Sequence, residues 1–485
     1  MFKRILVCLL ATVTMSMSLS ACTKPGPLYR GPEYNEDEQE EYFDSFDESD
    51  YSNKGDVTVT VQLTGMGKDW MVEMAENYKK ITGINVNIKE SQDATAELNS
   101  RLSIGAGLSD LYFDWSSTSQ MFNWANQGYL ADLSDLVNQV ADYRDPVLKT
   151  IGVYKDRTYT MPFAYNPAGF VYNQDYLDQI NSYGEYTKGK WPETWQGLLD
   201  LCTATQNSNL RYGSVKVQPL VFGGTVGYMT YLFNGMWKSE DPDGYDAYWS
   251  YSDKSGFNGD LLKTEATVKV MKALRDLLDP KPTIDGGYYP ANAVTGSTGI
   301  NHTVSQTRFL NGAAVFCVSG AWFENEMRSN FDEDSSYHFG RVPVISSGKM
   351  PASYILASPS EHFTVPSAAK NSDGGKQFLK FLLQKQNIVR IVNSLQVPLA
   401  YEYNVNDVKF TEWGKEVHDA LYGAEGAITY SDSDIMHCGA LTVFGSDDPF
   451  IEMSTKGITA EAALDAEVAF RTKNFDYFLD FLPKN

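Results

Sequence analysis

The chain has 485 residues, enough for two or three ordinary domains and a sizeable core, with 42% apolar and 21% charged residues. Lys and Arg number 40 against 62 Asp and Glu, a formal net charge of −22. That balance excludes a general nucleic-acid binder, which needs basic surface to replace phosphate counterions, and broad docking on anionic lipid. Five cysteines exclude a disulfide-dense scaffold.

The N-terminus has the layout of an export signal. Lys3 and Arg4 precede a mostly apolar stretch, Ile5 to Met17, and Leu19-Ser20-Ala21-Cys22 follows. Those four residues resemble the bacterial lipobox. The resemblance implies that residues 1–21 are removed and that Cys22 is lipidated. Residues 22–56 then read as an acidic tether. Pro25, Pro27 and Pro32 oppose regular structure, and Glu33 to Asp50 holds ten acidic residues and no basic one. Like charges at that density predict an extended, solvated stalk, although Tyr34, Tyr42, Phe43 and Phe46 leave room for docking.

The folded body begins near Asp56. Val57, Val59 and Val61 alternate with Thr58, Thr60 and Gln62, a strand pattern. Trp70, Met74, Tyr78 and Ile81 recur at helical spacing and Gly83 fits the position just past the helix end. Residues 84–88 alternate again, completing β-α-β. Leu98 and Leu102 mark a second helix, Asp110 to Trp115 a third strand, and Gln120 to Gln127 a third helix. Further helices follow Thr264, follow Ser372-Asp373, and run from Ala460 to Phe470. Alternating strands and helices of these lengths predict an α/β sheet covered on its faces.

Signals for catalysis are weak. His302, His338, His362, His418 and His437 are scattered without metal-ligand spacing, no Cys-x-x-Cys occurs, and no nucleophile elbow is present. No metal and no cofactor is expected. Gly65-Met66-Gly67-Lys68 lacks the full phosphate-loop spacing and reads as a turn. Asp241, Asp243 and Asp246 do not match a calcium loop and read as an acidic turn. Cys317, inside an apolar run, reads as a small buried hydrophobe.

Several aromatics instead sit beside turns and small residues: Asp114-Trp115 after a strand, Tyr165-Asn166-Pro167 between strand-like pieces, Tyr228 after Gly223-Gly224, and Trp322 after Ser319-Gly320-Ala321. Ligands of open α/β sheets bind beyond the carboxyl ends of strands. A sugar has apolar C–H faces and a hydroxyl rim, so it needs flat aromatic plates and hydrogen-bonding Asp, Asn or Arg. Trp115 and Trp322 read as ligand plates. Trp70, Trp124 and Trp195, at helical spacing, read as core.

The order of motifs is similar to the extracellular solute-binding lipoproteins of ABC importers, in the carbohydrate-binding group that includes maltose-binding protein. The carriers are Leu102 to Leu111, Asn126 to Leu133, Tyr159-Thr-Met161-Pro162 with Tyr172-Asn173-Gln174-Asp175, Pro192-Glu-Thr194-Trp195, and Phe309 to Trp322. The resemblance implies a two-lobed, periplasmic-binding-protein-like (type II) α/β fold with a hinge. Residues 57–165 and 360–412 would form one lobe, and 166–359 and 413–485 the other. It implies that Trp322 stacks on the sugar, that residues around Asp114, Asn166 and Tyr228 line the cleft, and that His437 falls near a region that adds a cleft aromatic; Trp115 and Tyr165, from the turns above, complete the candidate ligand-binding set. It further implies a monomer anchored to the cell membrane that passes a carbohydrate to a permease without reaction. Another solute on the same fold, or a surface glycosidase, stands as the alternative.

Overall fold

A computed structural model describes residues 32–479, apart from positions 53–54, 64, 117, 226, 250–257, 329–335, 346–354, 359–360, 423–427 and 430–448. Cys22 and His437 lie outside the described residues. Two sheets organise the chain. The first has five strands in the spatial order Val86–Ser91, Val57–Gln62, Leu111–Asp114, His362–Thr364, Thr160–Pro162. The first three are parallel and the last two are added antiparallel.

The Val/Thr alternation of Val57–Gln62 predicts a strand with one wet face, but the structure buries both faces, as a central parallel strand requires. Its polar residues are therefore paired. Thr58 N–H and hydroxyl both donate to Asp110 at 2.8 Å, Thr60 bonds Ser109 at 2.7 Å, and Gln62 Oε1 caps Ala94 N–H at 2.6 Å. Helix Asp69–Thr82 lays Trp70, Met74 and Tyr78 against this sheet, and Gly83 ends it at φ 72°, where a side chain would be strained.

The second sheet is mixed. Gln218–Val221 pairs with Ala314–Gly320, which pairs with the eight-residue strand Asn166–Asn173; the far edge of that strand takes both Tyr337–Gly340 and Ile355–Ser358. Helices Trp195–Asn207, Tyr228–Glu240 and Glu265–Leu278 bury Trp195, Trp237 and Leu274 around it. Thr264 caps the last of these, and Asp279, left-handed at φ 47° before Pro280, closes it. Cys317 is fully buried in this sheet. Asp241 accepts from Gly244 N–H and Asp246 pairs with Lys238, so the acidic turn is a helix cap and an ion pair.

The chain passes between the sheets at residues 163–165, which link Thr160–Pro162 to Asn166–Asn173, and again between Ser358 and His362. Leu399 and Ala400 run alongside the first passage: Tyr165 N–H donates to the Pro398 carbonyl at 2.8 Å, and Ala400 N–H to that of Phe163 at 2.9 Å.

The acidic segment departs from its expected extended form. Residues 36–44 are helical, opened by a capping box in which Asn35 and Glu38 satisfy each other's backbone N–H. Its aromatics dock on the first sheet's side of the molecule. Arg390, 5% exposed, lies between the rings of Tyr34 and Tyr42, at 4.0 and 3.6 Å from their centroids. Tyr42 donates to Asn387 at 2.5 Å, Lys409 pairs with Glu38 at 2.9 Å, and Tyr51 is 2% exposed against Tyr78. Charge predicts a stalk, but the acids face water on one side of the helix while aromatic burial and cation–π contact hold the other.

Candidate functional site

The carboxyl ends of the first sheet's parallel strands lead to Gly65 and to Asp114-Trp115. Those of the second sheet's parallel pair lead to Gly223-Gly224 and to Gly320–Trp322, and the strand starting at Asn166 begins at the same end. Both sets of loops lie at the passages between sheets, and they touch. A Cβ on Gly65 would stand 3.0 Å from that of Trp322.

On the first side Trp115 is 49% exposed, its backbone N–H held by Thr95 at 3.1 Å. Its indole N–H donates to Glu361 Oε1 at 3.4 Å, while Asn166 Nδ2 donates to Oε2 of the same carboxylate at 2.6 Å. Glu361, 4% exposed on the second passage, thus joins two residues singled out by sequence, one from each sheet. Nothing in its local sequence marks it.

On the second side the Trp322 indole folds back over its own strand end. Gly320 permits this, since a Cβ there would lie 2.2 Å from the ring. Tyr228 packs edge-on to Trp322 at 5.3 Å, Tyr231 at 6.4 Å, and His302 lies 5.8 Å from Tyr228. His302 Nε2 meets Glu326 at 2.9 Å. Tyr231 follows Tyr228 by three residues, a helical-face signal that sequence reading passed over. Residues 298–302 abut Gly223 and Gly224, where any Cβ would meet backbone within 2.8 Å; this brings the Gly- and Asn-rich segment 288–302 to the rim. A cavity of about 190 Å³ lined by Met66, Asp69, Trp70, Asn325, Glu326 and Leu395 shares Glu326 with this cluster, but Trp115, Asn166, Glu361, Tyr228 and Trp322 do not line it.

Two residues expected at the cleft sit deeper. Tyr165, the last residue of the first passage, is fully buried in the core, 6.4 Å from Tyr422. Asp114 is also fully buried, accepting from Ser116 N–H at 2.6 Å. Burial pushes its carboxyl up to about 6, against hydrogen bonds that act the other way. Desolvation likewise holds His362, the register partner of Asp114, neutral down to about 4.

The shift of Asp114 has a testable sign. Its folded pKa exceeds its unfolded one, so the ionised carboxylate costs stability above pH 6; the cost falls as pH drops through 6 and vanishes below about 4. Asp114→Asn is expected to raise the unfolding free energy at pH 7 by up to about 3 kcal/mol, an advantage that shrinks toward pH 4. Urea titrations at both pH values measure it, and equal midpoints at pH 7 would refute it.

Two α/β sheets joined by chain crossings, with aromatic side chains and a buried carboxylate where their strand ends meet, are the architecture on which the family assignment rests. The bacterial extracellular solute-binding protein family matches residues 73–401, and the chain belongs to it. The diacetylchitobiose binding protein NgcE of Streptomyces coelicolor is 23% identical over 337 residues, covering 66% of this chain and 64% of that relative's own length. RafE of Streptococcus pneumoniae, solved with raffinose, superposes with a TM-score of 0.60 at 15% identity over 89% of this chain and 100% of its own. The GacH receptor of Streptomyces glaucescens, solved with acarbose, gives 0.64 at 18% identity over 87% and 98%. These structural likenesses carry the type II binding-protein fold expected from the motif order. Among the described residues no helix is long and apolar enough to cross a membrane.

Proposed function

We propose that this chain is a lipid-anchored receptor that closes two lobes over a saccharide and hands it, chemically unchanged, to an ABC permease. The observation that carries the reading is that the exposed indole of Trp115 and the amide of Asn166, one from each sheet, meet on the Glu361 carboxylate where the strand ends come together, with the Trp322–Tyr228–Tyr231 cluster at the neighbouring strand end of the second sheet. Flat plates suit the C–H faces of a sugar, and Glu361 and Asn166 suit its hydroxyls. The ligands of the relatives, diacetylchitobiose, raffinose and acarbose, support it.

In this reading residues 1–21 are the export signal, and residues 57–165 with 360–412 and 166–359 with 413–485 are the two lobes. Cys22 carries the anchor. Because the chain is packed from Tyr34 onward, only about a dozen residues separate lipid from body, a reach of at most roughly 40 Å. The body is then held near the bilayer rather than raised on a stalk.

Thermal denaturation against a panel of neutral oligosaccharides, amino acids, peptides and divalent cations tests the proposal, because a ligand bound only by the native state raises Tm. A saccharide is expected to give the largest shift. A shift with a peptide or amino acid and none with sugars would replace the ligand class, and release of reducing ends from a polysaccharide would overturn the absence of catalysis.

A further inference from the structure

Away from the cleft, the fold assembles three metal-ligating side chains that sequence spacing keeps apart. Strand Tyr337–Gly340 carries His338; helix Glu412–Tyr422 packs against it and carries Glu412 and Glu416, four residues apart on one face. One ligand atom from each of the three lies within 4.8 Å of the others. We propose that His338, Glu412 and Glu416 bind a divalent transition-metal ion of the zinc type, independently of the solute cleft.

The supporting contacts orient the set. Glu416 Oε2 accepts the Phe339 N–H at 3.0 Å, while Oε1 is hydrogen-bonded to His338 Nδ1, 2.5 Å away, and a bound ion would displace the proton these two atoms share. The imidazole lies against Tyr172, 5.5 Å between centroids and 24° from parallel, so its plane is fixed. Backbone-anchored carboxylates and immobilised rings are the outer contacts that metal ligands use. Ligands spaced four apart on a helix, completed by one from another element, are a common zinc arrangement, and zinc holds N and O ligands at about 2.0–2.2 Å. Glu412 is exposed, so it swings inward without disturbing the core. One imidazole and two carboxylates suit zinc or cobalt. Calcium takes six to eight oxygens, and copper(I) prefers sulfur. Two carboxylates balance the ion's charge, and a fourth position is left for water. The bound ion would staple helix Glu412–Tyr422 to the edge of the second sheet.

The test uses the mature chain, stripped with a chelator and free of sugar. ZnCl₂ is expected to raise Tm in a saturable way at about one equivalent, and Co²⁺ to give the visible absorption of a low-coordinate ion. Glu412→Gln, at an exposed position, is expected to weaken both by on the order of tenfold or more. His338→Ala is expected to abolish the cobalt band. No saturable response to zinc overturns the proposal, as does a response unchanged in Glu412→Gln. Equal stabilisation by Ca²⁺ also overturns it, because that marks general screening of acidic groups.

Discussion

Trp322→Ala is expected to weaken saccharide binding by roughly 2 kcal/mol, about 30-fold in Kd, the scale of a central aromatic anchor. The indole is placed by its neighbours rather than by its own contacts with the core. Gly320 lies beneath it, Tyr228 and Tyr231 brace its edge at 5.3 and 6.4 Å, and Gly65 from the other sheet closes on its Cβ. Gly320→Ala should therefore reproduce much of the loss, because a methyl group 2.2 Å from the ring forces the plate aside. Calorimetry with the saccharide chosen by thermal shift measures both. Unchanged affinity in Trp322→Ala would remove the indole from the site.

Tyr51→Ala is expected to lower the unfolding free energy by about 3–4 kcal/mol, the range for truncating a buried aromatic. Tyr51 is 2% exposed, with its ring 5.4 Å from Tyr78 and 6.0 Å from Phe381. Deleting residues 32–52 should cost at least as much, since it also uncovers Arg390 and the Phe381 surface beneath Phe46. Arg390 would lose both tyrosine rings, leaving its 4.0 Å pairing with Glu73, a carboxyl that burial already pushes up. Urea unfolding monitored by tryptophan fluorescence reads the change. A wild-type midpoint in the deletion would mean that the acidic segment contributes nothing to the folded body.

Much of the architecture is local and therefore legible. The Val57–Val61 alternation, the Trp70–Met74–Tyr78 stripe ended by Gly83, and the Thr264 cap each depend on backbone geometry within a few residues. The same logic sorts Trp70, Trp124 and Trp195 into the core and leaves Trp115 exposed. Local reading fails where burial depends on distant partners. Asp114 and Tyr165, expected at the cleft, stand near the passages between the sheets, yet neighbouring strands and the 398–400 segment enclose them. The acidic run around Tyr42 looks solvated until Arg390 and Asn387 are placed beneath it.

By itself, the sequence determined alternating strands and helices, the helix ends, and the turns where aromatic and amide side chains stand clear of helical stripes. Those features follow from the periods of strand and helix and from caps and glycines, whose effects reach only a turn or two. The tertiary structure alone decided that Glu361 meets Asn166 across 195 positions, that His302 faces Tyr228, and that His338 reaches Glu416. Contacts of that kind are set by where the chain crosses between sheets and which strand ends it brings level, a property of the assembled whole.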